Sequence, residues 1–174
     1  MFVAAALQNP SATAPFGAIG LVVVVLCITR RNENIGGWLM FFYYQIYASV
    51  ALSLLSVLRS VETFSPSYWS ESGDYAVYLA SVLPRYVAFL FVGIVASVLL
   101  SRRTHTWVIH LRIALGAALG LMTLPLLLDA LFFPDALIWN VLRVLMLGAW
   151  LIYFFVSERV KRVFPKAQEP RVDA

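Results

Sequence analysis

Long apolar runs separated by short polar breaks organise this chain from end to end. A spanning helix needs about 20 mainly apolar residues, and five stretches approach that: 12–29, 38–58, 78–100, 107–128 and 136–156. Lipid gives backbone groups no partners, so helices are the default, and the two-residue alternation of a β-barrel is missing. The expected class is all-α, an integral membrane helical bundle. The first span holds Pro15, with Pro10 just ahead of it, and its only flanking charges, Arg30 and Arg31, follow it. A cleaved signal would carry basic residues ahead of the apolar run, so this span reads as a retained helix with its N-terminus outside.

Composition agrees with the pattern. Hydrophobic residues make up 61% of the 174 positions and charged residues 13%, with a mean hydropathy of +0.84. Soluble domains carry about 25% charged residues, which excludes an ordinary water-soluble surface. A net charge of +4 and a pI near 9.5 raise the question of nucleic acid. The basic residues, however, sit in short clusters beside apolar runs, which is a topology signal.

Arg30, Arg31, Arg102, Arg103, Arg159, Lys161, Arg162, Lys166 and Arg171 are nine of the 13 basic residues, and all follow spans one, three or five. The opposite connections hold Glu62, Glu71, Asp74, Asp129 and Asp135, with Arg59 at their edge. The positive side faces the cytoplasm, so the expectation is a multi-pass bacterial inner-membrane protein with a cytoplasmic C-terminus. Trp38, Tyr68, Trp69, Tyr75 and Trp107 fall near the expected interfaces, where amphipathic rings settle. The connection 129–135 is short enough to force a tight antiparallel hairpin.

Candidate chemistry is sparse. Cys27 stands alone, which excludes an intrachain disulfide and a cysteine-built metal site. His105 and His110 are five residues apart and share no helix face. No phosphate-binding glycine loop, zinc-protease motif or nucleophile elbow occurs. The expectation is therefore a non-enzyme with no cofactor and no metal.

Three arginines lie within spans, where a charge at mid-bilayer costs about 2.5–3.5 kcal/mol. Arg112 is close enough to the basic side to snorkel there. Arg85 and Arg143 sit deeper, and either snorkel outward or pair with Asp129 or Glu62 on neighbouring helices. Asn140, three residues before Arg143, shares its face and joins such a cluster. On span two, Gln45, Ser49, Ser53, Ser56 and Ser60 recur at helical spacing. Such a stripe packs helices closely or walls a hydrated path. Gly116 and Gly120 form a GxxxG pair, which lets helices approach within the bundle or across a dimer.

Two motifs are more specific. Ile35-Gly36-Gly37-Trp38-Leu39 precedes span two, with the glycines allowing a tight turn and Trp38 anchoring at the interface. After Arg143 come Trp150, Tyr153, Ser157, Arg159, Val160, Lys161 and Phe164, as W-x-x-Y followed by S-x-R-V-K-x-x-F. Together these resemble the YdgK-like family of small bacterial inner-membrane proteins, a domain of unknown function. The resemblance covers 34–165 and implies four crossings. The chain then divides into an N-terminal segment, 1–33, with one extra transmembrane helix, a four-helix core, 34–165, and a polar cytoplasmic tail, 166–174. In the tail motif, Arg159, Lys161 and Arg162 meet anionic headgroups of the cytoplasmic leaflet. Val160, Val163 and Phe164 form the apolar side of an amphipathic extension on that leaflet.

The leading functional expectation is an accessory or scaffolding subunit that joins a membrane-protein partner or a second copy of itself. The rival is a small transporter or channel component, with anions drawn to Arg85 and Arg143 along the serine stripe. A lipid-modifying enzyme has no residue constellation behind it.

Overall fold

The computed structural model describes residues 22–29, 37–59 and 61–164, apart from the side chains of Asp135 and Ala136. Among the described residues, four long helices make an all-α bundle: α1 (Trp38–Arg59), α2 (Ser72–Arg102), α3 (His105–Phe132) and α4 (Pro134–Val156). A short helix, α5 (Glu158–Val163), follows. All four long helices are apolar and long enough to cross a membrane, and this is a membrane protein. Residues 22–29 are also helical. The remainder of the first span, together with Arg30, Arg31, Gly36, Ser60 and the tail 166–174, lies outside the described residues.

The turns are tight because local chemistry ends each helix abruptly. Arg103 adopts a left-handed conformation (φ 49°, ψ 36°) and its N–H closes on the Leu99 carbonyl at 2.9 Å. Only Arg103 and Thr104 join α2 to α3. Phe133 alone joins α3 to α4, and Pro134 occupies the first position of α4, where its missing N–H costs nothing. The hairpin expected at 129–135 is therefore present, with both helices running almost through the connection. At about 1.5 Å per residue, the 31 residues of α2 span about 46 Å. That exceeds a hydrocarbon core of about 30 Å, so its first turns stand among the residues of the 61–71 connection.

That connection is an ordered cap. Two short 3₁₀ turns, Val61–Phe64 and Pro66–Tyr68, wrap around Tyr78 of α2. The Tyr78 and Thr63 hydroxyls meet at 2.9 Å, Trp69 Nε1 donates to the Thr63 carbonyl at 2.9 Å, and Tyr75 donates to the Phe64 carbonyl at 3.0 Å.

Helices α2 and α3 share the longest interface, α3 and α4 the next, and α1 leans mainly on α2. The apolar core fills the half of the bundle away from the 61–71 connection, here termed the basic end because it carries Arg102, Arg103, Lys161 and Arg162. On α1 every buried residue (Leu39, Phe42, Tyr43 and Ile46) lies in its first nine positions. Phe42 stacks edge-on against Trp150 and Phe154 of α4, with centroids 5.2 and 4.8 Å apart. Gly93 brings α1 and α2 together, since a Cβ there would sit 3.0 Å from Val50. The GxxxG pair behaves differently. A Cβ at Gly116 or Gly120 would meet none of the described residues, and both glycines are exposed, so neither packs against the described part of the bundle.

The tail motif also departs from expectation. Val160 and Phe164 do not lie on the leaflet; both are buried in the apolar core. Ser157 caps α5 by accepting from the Val160 N–H, which turns the chain back toward the bundle. Lys161 and Arg162 stay exposed, and Arg159 is half-buried. The Lys161 ammonium, hydrogen-bonded to Glu158 at 2.6 Å, holds that carboxyl below its usual range.

Candidate functional site

The bundle half nearest the 61–71 connection holds polar side chains. Asp129 is fully buried near the end of α3, and three helices converge on it. From α2, Arg85 pairs with its Oδ1 through Nη2, and Ser81 donates to the same oxygen at 3.1 Å. From α4, Asn140 donates to Oδ2. Arg85 Nη2 also reaches Ser81 Oγ at 2.5 Å, one helical turn away. Both carboxylate oxygens of Asp129 are thus taken by protein donors.

Arg143 is joined to this carboxylate only indirectly. Its Nη1 donates to Asn140 Oδ1 at 2.9 Å, and Asn140 in turn donates to Asp129. Arg143 is half-buried, whereas Arg85 is 9% exposed and Asn140 2%. It lies within electrostatic reach of Arg85, Tyr86 and Asp129. Glu62, the other carboxylate considered for pairing, is exposed on the connection.

The polar stripe of α1 splits between two neighbours. Gln45 reaches α4, accepting from Trp150 Nε1 at 2.7 Å and donating toward the Met146 sulfur. Ser56 accepts from the Tyr86 hydroxyl of α2 at 3.3 Å. Ser49 and Ser53 are half-buried between these points, and Ser53 lines an apolar groove between α1 and α2. Gln45 and Trp150 form a clamp at a depth where an unpaired amide would cost several kcal/mol.

Arg112 serves the other end. Its Nε and Nη2 donate to the Phe154 carbonyl at 3.1 and 2.7 Å, and its guanidinium lies 4.6 Å from the Phe155 ring centre. It therefore caps the C-terminal carbonyls of α4 and ties α3 to α4. Trp38 is exposed near the start of α1, and Gly37 has a positive φ of 59°. His105 and His110 do not converge, because His110 turns to the Thr106 carbonyl and stacks with Trp107. No cluster of three potential metal ligands occurs among the described residues.

Ser81 and Gly93 were not singled out in the sequence. Ser81 lies one helical turn before Arg85, which is the signal that would have found it. Compared with known protein families, curated proteins and solved structures, the chain matches none.

Proposed function

We propose that this chain is a non-enzymatic accessory or scaffolding subunit of a bacterial inner-membrane complex. The observation that carries the reading is the saturation of Asp129. Its partners come from α2 and α4, so among the described residues the buried polar groups are engaged in holding helices together. The transporter reading draws less support, because Arg85, Gln45 and Ser56 all hold partners within the protein.

The partner-facing surface in this reading is the outward strip of α3 that contains Gly116 and Gly120. Small residues there let another membrane helix approach closely. The test is purification of the tagged chain in several mild detergents, followed by mass spectrometry. A membrane-protein partner or a second copy is expected with the wild type. Gly116→Leu/Gly120→Leu should reduce its recovery about tenfold, equivalent to about 1.4 kcal/mol, while leaving helicity and melting temperature unchanged. Monomer alone in every detergent counts against the reading.

The basic end faces the cytoplasm in this reading, by the distribution of arginine and lysine. Arg159, Lys161 and Arg162 then meet anionic headgroups of that leaflet. A fluorescent protein fused after α5 should fold and emit, and alkaline phosphatase at the same place should stay inactive. Active phosphatase would reverse the topology.

A further inference from the structure

The polar cluster does not balance its charge. Among the described residues, Arg85 and Arg143 contribute two positive charges and Asp129 one negative, which leaves the cluster with one positive charge inside membrane-spanning helices. Glu62, Glu71 and Asp74 are exposed on the connection and the first turn of α2. Asp135 is eight residues before Arg143, about 12 Å along α4. Arg143 is the outward member of the cluster, and its hydrogen bond among the described residues is to a neutral amide. Behind it, Arg85 Nε is buried with no partner among the described residues. A cation held within a span without its own carboxylate marks a candidate anion site.

A place for the rest of that anion lies alongside. Val50, Ser53, Leu54 and Val57 of α1 face Tyr86, Val87 and Leu90 of α2 across a groove of about 120 Å³. Beyond Ile46 no residue of α1 is fully buried, so a groove stays open between the Gly93–Val50 contact and the Tyr86–Ser56 hydrogen bond. Tyr86 links the two features: it lines the groove and directly follows Arg85 of the cluster in α2. Arg59, exposed at the end of α1, adds positive charge at the same end.

We propose that this is a site for an anionic phospholipid, with the phosphate held at Arg143 and an acyl chain in the groove between α1 and α2. Apolar walls fit the chain, and the excess charge selects a lipid of net charge −1 over a zwitterionic one. A guanidinium–phosphate contact is charge-assisted and strong in a dry setting. The site lies at the end of the bundle opposite the basic tail and does not depend on the chain having a protein partner.

The experiment is native mass spectrometry of the full chain supplied with phosphatidylglycerol, phosphatidylcholine or inorganic phosphate. The wild type should retain phosphatidylglycerol about tenfold better than phosphatidylcholine, and Arg143→Gln should lose that preference. Excess inorganic phosphate should leave the adduct in place; displacement of the lipid would assign the site to a soluble oxyanion and overturn the proposal. Leu90→Trp blocks the groove without touching the cluster and should remove the lipid with no change in melting temperature. It decides the matter should Arg143→Gln fail to fold. Retention of phosphatidylglycerol by Leu90→Trp, or by a folded Arg143→Gln, overturns the assignment.

Discussion

Asp129→Asn is expected to destabilise the detergent-solubilised bundle by about 3–5 kcal/mol, the range for removing one partner of a buried ion pair. The carboxylate is fully buried and serves Arg85, Ser81 and Asn140 at once. An asparagine there offers one oxygen and turns an amide NH₂ toward donors on α2 or α4. The charge of the cluster rises from one to two, because two arginines remain and the aspartate is gone. Arg85 is too deeply buried to recruit water as a substitute. The double variant Arg85→Leu/Asp129→Leu removes both charges, and replacing a buried pair by apolar residues is often close to neutral. It should therefore recover most of the loss. Denaturation of the wild type, Arg85→Leu, Asp129→Leu and the double variant in one detergent gives the coupling energy directly. If Asp129→Asn falls within about 0.5 kcal/mol of wild type, an ordinary surface effect, the cluster does not hold the helices together.

That cluster was partly legible because charge within a span is conspicuous. Arg85, Arg143, Asn140 and Asp129 stand out against apolar neighbours, and the three-residue spacing of Asn140 and Arg143 puts them on one face. The spans were legible for the same reason, with helices ending within a few residues of the polar breaks except at the start of α2. The direction in which apolar and small residues point was hidden. Lipid tails are as apolar as a leucine core, so hydropathy does not separate a face buried in the bundle from one against the bilayer. Gly116 and Gly120 therefore gave no sign of facing outward, nor Gly93 of facing Val50. Periodicity likewise grouped Gln45 with Ser56, but could not tell that one turns to α4 and the other to α2.

The same ambiguity governs α5, and Phe164→Ala resolves it. An amphipathic segment after the last span satisfies its apolar side equally well in headgroup-level lipid or in the bundle. Here Phe164 is fully buried and Val160 nearly so, both in the cluster that includes Phe42, Trp150 and Phe154. Truncating a buried phenylalanine costs about 3–5 kcal/mol through lost transfer energy and the cavity left behind. Phe164→Ala should lower stability by that amount in detergent, where no leaflet is present to hold the tail. Arg162→Ala, at an exposed position of α5, should stay within about 0.5 kcal/mol. A leaflet anchor predicts the reverse pattern: Phe164→Ala would be silent in micelles, and both variants would weaken attachment of the tail only in anionic bilayers. Comparing the two variants in micelles and in phosphatidylglycerol nanodiscs separates the cases. Loss in micelles makes the S-x-R-V-K-x-x-F segment the plug that closes the basic end of the core, with Ser157 setting its turn and Arg112 fixing the helix end from which it departs.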